Sequence, residues 1–287
     1  MDAAESNYLK GNGPAPASSS SLLLSSSKYL NHARLRDILV QEALRKSGRE
    51  FPLAFLVPDA MQAFEELKDH GLIHRLLADE KARKPEFARW LDDRFVSRFT
   101  ADSTANHAPG TLGARVHEFI VKSGYAIDFL FLSEPQSDYE YLQKRLAQNH
   151  DIEHIVTGFG TDPCGENALM TCNGTSWLKY FSSEFAGELC RFGVYLTMVN
   201  TLRAGMHYPR TLPVFYDAIR YGTEMGTALM RPLVFIRWEN YFDRTIEELR
   251  REFNIHSPAV AATWAWTEEA WQEPARDSDG RKATHAD

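Results

Sequence analysis

Two histidines and a carboxylate near the middle of the chain have the residue types and spacing of a divalent-metal site. His150 and His154 are four residues apart, so on a helix they project from the same face. Neutral imidazole is a frequent ligand of zinc, iron and copper. Glu166 follows after eleven further residues and can supply a carboxylate oxygen. We therefore predict that these three side chains bind one metal ion.

A second carboxylate, Asp151, directly follows the first histidine. On a helix its side chain lies about 100° further round than that of its neighbour. From there it can bind the metal itself, orient an imidazole, or act as a base. We include Asp151 among the predicted metal ligands and name it as the candidate catalytic residue. Glu153 is predicted to lie on a different face of the helix as a solvated charge.

The residues around the motif predict two helices joined by a turn. Leu142 and Leu146 share the helix face of the two histidines, which indicates that this face points into the protein. Ser137 can cap this helix, which is predicted over residues 138–157. The segment before Glu166 is rich in glycine and proline, so the chain can turn back there. Such a turn would bring the carboxylate over the imidazoles.

Helical periodicity recurs through most of the chain, and no segment shows sustained alternation with a period of two. We predict an all-α fold with seven to nine helices in one domain, residues 28–256. The helix expected over 184–202 is apolar on much of its circumference, which favours a central, buried position. Residues 1–27 are rich in serine and are predicted to form a disordered arm. Residues 257–287 are predicted to be a partly disordered tail.

Composition and charge exclude several classes of protein. The net charge is −7, and we find no basic stripe of the kind that nucleic-acid binding requires. No run of 18 apolar residues is present, so no segment is predicted to span a bilayer. The N-terminus is neither basic and apolar nor rich in arginine, so we predict neither a secretory signal nor a mitochondrial presequence. The three cysteines form no CxxC pair and are expected to be reduced thiols.

The metal motif resembles that of a known family. The pattern His150-Asp151-x-x-His154, followed after eleven residues by Glu166, is similar to the HDxxH-x11-E motif of the coenzyme Q biosynthesis protein 4 family. The surrounding string NHDIEHIVTGFGTDPCGENAL also resembles the family pattern HDxxHxxTGxxxxxxGExAL.

Two outlying stretches extend the resemblance over roughly residues 65–256. Residues 110–113, GTLG, resemble a segment that opens a helix in the family. A second stretch resembles the closing family pattern PL…WE…L…I through Arg231, Pro232, Leu233, Trp238, Glu239, Leu249 and Ile255.

The resemblance implies an all-helical fold, a bound metal that is generally zinc, and peripheral attachment to a membrane. It also implies association with other proteins of coenzyme Q biosynthesis. The implied activity replaces the C1 ring carboxyl of a polyprenylated 4-hydroxybenzoate-derived quinone precursor by hydroxyl. The helix over 184–202 could line a groove for the lipid tail. Arg203, His207 and Arg210 follow it and could meet a polar head group or an acidic membrane surface.

The metal and the role of the site remain open at this point. Zinc has no redox chemistry, yet replacing carboxyl by hydroxyl is an oxidation. Two histidines and one carboxylate also suit non-haem Fe(II), and Mn is a further alternative. The alternative function is a non-catalytic, lipid-binding scaffold that organises the biosynthetic enzymes around a structural metal. A metallopeptidase is disfavoured, because Asp151 is one methylene shorter than the glutamate of HExxH sites.

The assembly and location are also expectations. A homodimer is one assembly that the sequence allows. The absence of an Arg-rich presequence favours the cytoplasmic face of a bacterial inner membrane, with the matrix side of the mitochondrial inner membrane as the alternative.

Overall fold

The computed structural model describes residues 25–44, 56–97, 99–123 and 133–256. The predicted tail and nearly all of the predicted N-terminal arm lie outside these described residues. Within them the fold is all-α, as predicted: twelve α-helices and three short 3-10 helices, with no strand and one isolated bridge between Thr111 and Thr245. The helices are α1 (Lys28–Asn31), α2 (Ala33–Leu44), α3 (Val57–Leu67), α4 (His70–Arg83), α5 (Pro85–Asp93), α6 (Ala101–Thr104), α7 (Leu112–Ser123), α8 (Asp138–Thr157), α9 (Pro163–Tyr180), α10 (Ser183–His207), α11 (Leu212–Ala228) and α12 (Ile246–Phe253).

The number of helices is higher than the predicted seven to nine. Two of them, α1 and α6, have four residues each, too few to show a hydrophobic period. In addition, the apolar residues that recur at helical spacing between Asp59 and Leu77 belong to two helices, α3 and α4. Lys68 has an extended backbone there, and the side chain of Asp69 accepts a hydrogen bond from the Leu72 amide, which caps the second helix.

Helix α9 packs against α11 at backbone contact. A Cβ atom added to Gly222 of α11 would overlap the carbonyl oxygen of Ala168, and one added to Gly226 would overlap that of Cys172. Small residues four apart on one helix face therefore let the two helix axes approach closely. Both residues of α9 at this seam are fully buried in the largest hydrophobic cluster of the described residues.

The N-terminal helices pack on the middle of α10. The hydroxyl of Tyr195 in α10 donates a hydrogen bond of 2.9 Å to the carbonyl oxygen of Leu35 in α2. A separate hydrophobic cluster forms at this junction, and it contains Tyr29, Leu35, Ile38, Leu56, Ala60, Ala63 and Phe64, with Phe192 and Tyr195 packed against it.

One face of α10 is exposed over residues 194–206, so the prediction of a central, buried helix is wrong for this face. Val194, Met198, Leu202 and Met206 follow one another at intervals of four and are 59%, 62%, 43% and 68% exposed. We call this row the α10 ridge. Its apolar character indicates burial, but the described elements cover only the other faces of the helix. None of the helices in the described ranges is both long and apolar enough to traverse a bilayer.

Candidate metal centre

Helix α8 carries both histidines, and its ends match the predicted range of 138–157. The side chain of Ser137 accepts a hydrogen bond from the amide of Glu140, as expected for an N-cap. The helix ends at Gly158, which has a φ of +78° and donates its amide proton to the carbonyl oxygen of His154. Glycine adopts this left-handed conformation without steric cost, so the chain can leave the helix directly after the second histidine.

The turn between α8 and α9 folds back tightly. Asp162 caps α9, since its side chain accepts hydrogen bonds from the amides of Cys164 at 2.9 Å and Gly165 at 3.2 Å. A Cβ atom at Gly165 would overlap the carbonyl oxygen of Gly160, so a side chain there would force the turn apart. The cap starts α9 at Pro163, three residues before Glu166, and the carboxylate therefore lies in the first turn of the helix. That position is favourable for a negative charge.

The three predicted ligands Glu166, His150 and His154 converge. The Nε2 atoms of the two imidazoles are 3.2 Å apart. One carboxylate oxygen of Glu166 lies 3.4 Å from Nε2 of His150, and the other lies 3.3 Å from Nε2 of His154. One potential ligand atom from each residue lies within 4.8 Å of those of the other two.

These separations fit a metal ion. Two ligand atoms at tetrahedral positions, each about 2.0–2.1 Å from zinc, are about 3.3 Å apart. The three observed separations of 3.2, 3.3 and 3.4 Å lie around this value. Two imidazoles and a carboxylate are also a donor set that zinc, iron and manganese accept. The three side chains therefore could hold a metal ion.

A second hydrogen bond orients the inner histidine. Nδ1 of His154 lies 3.2 Å from the carbonyl oxygen of Phe159. A carbonyl oxygen only accepts, so Nδ1 donates in this hydrogen bond and Nε2 is the ring nitrogen that faces the cluster. Backbone carbonyls commonly hold metal-binding histidines in this way.

Charge coupling within the cluster is strong. Burial acts to lower the pKa of His150, but the carboxylate of Glu166 outweighs it and raises that pKa to about 9. Burial acts to raise the pKa of Glu166, and the two imidazoles overcome it and hold that pKa well below its usual range. A metal ion that binds here must displace the proton of His150, so binding releases a proton.

The cluster is open on one side. The side chain of His154 is 3% exposed, whereas those of His150 and Glu166 are 29% and 31% exposed. Asp151 is half-buried beside the cluster but is not among the residues whose ligand atoms converge. Burial raises the pKa of its carboxyl, and the nearby imidazoles oppose that effect. Its roles as ligand and as base stay predictions.

Glu153 is the polar residue whose position the sequence analysis missed. The prediction of a solvated charge is wrong, because the residue is 2% exposed. Its Oε2 atom accepts a hydrogen bond of 2.7 Å from the side-chain amide of Asn173 in α9. The reason is that α8 is enclosed on most of its circumference, so a different face is still an interior face. No local pattern around Glu153 indicates this contact, because Asn173 lies 20 residues further along the chain.

The three residues predicted to meet a head group lie near the end of α10. Arg203 is buried, forms an ion pair with the carboxylate of Glu42 and donates from Nε to the Glu42 carbonyl oxygen at 2.7 Å. Nε2 of His207 lies 2.8 Å from the carbonyl oxygen of Ala43. Arg210 is exposed. The first two therefore join α10 to α2, and the lipid role of the group stays a prediction.

The two outlying stretches that resemble the family meet in the fold. The amide of Leu112 donates to the carbonyl oxygen of Arg244 at 2.7 Å, and that of Gly113 donates to Phe242 at 2.8 Å. The carbonyl groups belong to the segment that includes the PL…WE pattern. These stretches therefore form one structural unit that contributes to the same hydrophobic cluster as α9 and α11.

Several known proteins are similar to this chain. One is the protein named "Ubiquinone biosynthesis protein COQ4, mitochondrial" from Lachancea thermotolerans, which is 25% identical to this chain over 196 residues. The aligned region covers 65% of this chain and 53% of that protein. The protein of the same name from Coprinopsis cinerea is 22% identical over 209 residues, with 70% of this chain and 64% of that protein covered. The chain thus spans between half and two thirds of the length of these relatives.

A solved structure shares the fold. The crystal structure of a protein from Nostoc punctiforme, assigned by its name to ubiquinone biosynthesis, superposes with a TM-score of 0.53 and 20% sequence identity. The match covers 77% of this chain and 99% of that one. At this identity the likeness supports the fold alone.

A family model matches the chain over the region that contains the cluster. The model describes the coenzyme Q (ubiquinone) biosynthesis protein Coq4, and it matches residues 94–259. This range is more than half of the 287 residues and includes both ligand helices and the two outlying stretches. The chain therefore belongs to the coenzyme Q (ubiquinone) biosynthesis protein Coq4 family.

Proposed function

We propose that this protein is a metal-dependent enzyme of ubiquinone biosynthesis. In the proposed reaction, the C1 carboxyl of a polyprenylated 4-hydroxybenzoate-derived precursor is replaced by hydroxyl. The observation that carries the proposal is the convergence of His150, His154 and Glu166 at separations of 3.2–3.4 Å, on a site with one exposed side. Membership of the Coq4 family supports the pathway. The exposed side supports catalysis, because a catalytic metal keeps a position open for water or substrate.

The residues of the chain have distinct tasks in this proposal. His150, His154 and Glu166 hold the ion, and the carbonyl of Phe159 keeps the inner imidazole in the correct tautomer. When bound, the metal supplies Lewis-acid stabilisation of charge on the ring and, if it is iron or manganese, redox chemistry as well. Asp151 lies beside the cluster and acts as the base that takes the phenol proton. Burial raises the pKa of its carboxyl, which improves its proton affinity.

The reaction also requires an oxidant. Conversion of an aryl carboxylate to a phenol and carbon dioxide removes two electrons and adds one oxygen atom. We propose dioxygen as the co-substrate: one of its oxygen atoms enters the phenol, and the other leaves as water with two protons and two electrons from an external reductant. The zinc that the resemblance implies cannot exchange electrons, so the oxidative reaction favours iron or manganese in the working protein.

The substrate determines where the protein works. A polyprenyl tail resides in a membrane, so we propose peripheral attachment to a quinone-bearing membrane together with other proteins of the pathway. The α10 ridge offers an exposed apolar face for such contact. The two relatives from Lachancea thermotolerans and Coprinopsis cinerea are named as mitochondrial proteins. Fractionation of cells that express this chain would distinguish a mitochondrial from a bacterial location.

Metal analysis of the untagged protein tests the site. We expect about one iron, manganese or zinc per chain by mass spectrometry, and loss of that metal in His154→Ala and in Glu166→Ala. His74→Ala is the matched control, since His70 and His74 are also four apart on a helix but both are exposed. That variant should retain the metal. A wild-type protein without metal after reconstitution with each ion would contradict the proposal.

Activity is tested with a polyprenylated 4-hydroxybenzoate whose carboxyl carbon is labelled. Iron- or manganese-loaded protein, supplied with dioxygen and a two-electron reductant, should release labelled carbon dioxide, and oxygen from labelled dioxygen should appear in the phenolic product. Asp151→Asn should retain the metal and lose most of the turnover. A metal-loaded protein that binds the precursor without converting it under oxygen would instead favour the lipid-binding scaffold.

A further inference from the structure

A buried polar pair joins the two ligand helices outside the metal cluster. Oε2 of Glu153 in α8 accepts a hydrogen bond of 2.7 Å from Nδ2 of Asn173 in α9. Glu153 is 2% exposed and Asn173 is 6% exposed, so water does not compete for this bond. The pair therefore fixes one helix against the other.

The pair lies within one to two helical turns of the ligands on both helices. Glu153 directly precedes His154 and is three residues after His150, within one helical turn. Asn173 is seven residues after Glu166, which is about two turns and returns to the same side of α9. A change in the distance between the helices at this pair is therefore transmitted to the cluster.

Each residue of the pair has one buried oxygen atom without a hydrogen-bond partner among the described residues. These atoms are Oε1 of Glu153 and Oδ1 of Asn173. Removing either side chain would leave the other buried without its partner, which costs free energy and favours separation of the helices. An amide at position 153 could accept from Nδ2 of Asn173 and donate to Oδ1, so glutamine can preserve the link.

We infer that Glu153 and Asn173 are a positioning pair for the metal site. By holding α8 against α9 they keep the two imidazoles and the carboxylate of Glu166 within metal-binding separation. Neither residue touches the ion. The inference rests on the proposed metal site. It states that the separation of the three ligands depends on this pair as well as on the ligands themselves.

The test compares metal affinity in substituted proteins. Each is titrated with Co²⁺ in competition with a chromophoric chelator, and the visible absorption of bound Co²⁺ is recorded. We expect Glu153→Ala and Asn173→Ala to bind Co²⁺ about 10–100-fold more weakly, the range found when residues that support metal ligands are removed. The absorption bands should also change in shape, because the ligand geometry is altered. Glu153→Gln should bind within about threefold of the wild type, since it retains the link.

A matched control separates positioning from general destabilisation. Glu80 is also a buried glutamate, 0% exposed, but it bonds to Lys84 and to the amide of Ser182, away from the cluster. Glu80→Ala should lower the melting temperature and leave Co²⁺ affinity and spectrum unchanged. If Glu153→Ala and Asn173→Ala fold and bind Co²⁺ like the wild type, the inference is overturned while the metal site stands.

Two further outcomes are decisive. If one alanine variant fails to fold, the other carries the test, and Co²⁺ binding like that of the wild type by this folded variant overturns the inference. If the wild type itself binds no Co²⁺, the proposed metal function fails first, and the positioning role fails with it.

Discussion

Helix α9 packs against α11 on one side and against α8 on the other, and the two contacts differ in kind. We call them the α11 wall and the α8 wall. Towards α11, backbone meets backbone, because Gly222 and Gly226 leave room for the carbonyl groups of α9. Towards α8, the contact includes polar side chains, namely the three candidate metal ligands and the hydrogen-bonded pair Glu153 and Asn173. The α11 wall depends on the absence of side chains, whereas the α8 wall depends on their presence.

This difference indicates how a buried cluster of charges can be placed accurately. Close-packed interiors change little in spacing, so the α11 wall fixes the position of α9 without any charged group. The α8 wall then contains groups whose mutual repulsion or attraction depends on their ionisation and on the metal. We infer that the α11 wall holds α9 in place, so that the groups of the α8 wall stay positioned to bind an ion.

The largest expected effect on stability is at the contact that Gly222 and Gly226 make with α9, which we call the glycine seam. Gly222→Val and Gly226→Val should each lower the free energy of unfolding by about 3 kcal/mol, because the new side chain meets backbone atoms that cannot rotate away. Metal content should fall with stability, since Glu166 lies on the displaced helix. Chemical denaturation and metal analysis of the same samples measure both.

The control for the seam is a glycine in an open position. Gly187 is an exposed residue of α10, and no described heavy atom lies within 4 Å of a Cβ added there. Gly187→Ala should stabilise the protein by about 0.5–1 kcal/mol through helix propensity. Valine variants at the seam with wild-type stability would show that the two walls do not differ as described.

An intermediate effect is expected at the cap of α9. Asp162→Ala removes the acceptor for the amides of Cys164 and Gly165 and should cost about 0.5–2 kcal/mol of stability. Because Glu166 lies in the same first turn, fraying should weaken metal binding as well. Asp162→Ser retains a capping oxygen and should recover most of both losses. If Asp162→Ala binds metal as tightly as the wild type, the α11 wall alone fixes the position of Glu166.

The smallest effect is a pH dependence that should be independent of the glycine seam. Burial acts to raise the pKa of Glu80, but hydrogen bonds from Lys84 and from the amide of Ser182 outweigh it and lower that pKa below its ordinary value. The carboxylate therefore stabilises the fold fully above the pKa of the unfolded chain, and this contribution is lost as the pH falls through the folded-state pKa. Glu80→Gln should flatten the stability profile below about pH 4.5.

The comparison with a seam variant sharpens this prediction. Gly226→Ala should lower stability by a similar amount at every pH from 3 to 7, because the seam contains no carboxylate. Denaturation in the presence of a chelator, over that pH range, measures both profiles. A seam variant whose loss of stability changes steeply with pH would indicate that charged groups contribute to the α11 wall.

The sequence predicts the parts of the site that depend on local spacing. The bounds of α8 follow from Ser137 and Gly158, and the pairing of His150 with His154 follows from the helical repeat. The turn to Glu166 follows from its glycines, and Asp162 caps α9 so that the helix begins at Pro163. These features are local, so residue types within one or two turns determine them.

Features that depend on tertiary contact were not predictable in this way. Burial of Glu153 requires knowledge that α9 presents Asn173 to it. The pairing of Arg203 with Glu42 joins residues 161 positions apart in the chain. Conversely, the α10 ridge has the composition of a buried face, and only the arrangement of the other helices shows that the described residues leave it exposed.

The unequal exposure of the three ligands has a kinetic consequence. His154 is almost fully enclosed, while His150 and Glu166 face solvent in part. An ion would therefore enter and depart past the two outer ligands, and His154 would be the last to release it. Exchange with free metal should then proceed through a half-dissociated state anchored on His154, so a small chelator that reaches this side should accelerate metal loss in proportion to its concentration, whereas a bulky one should not.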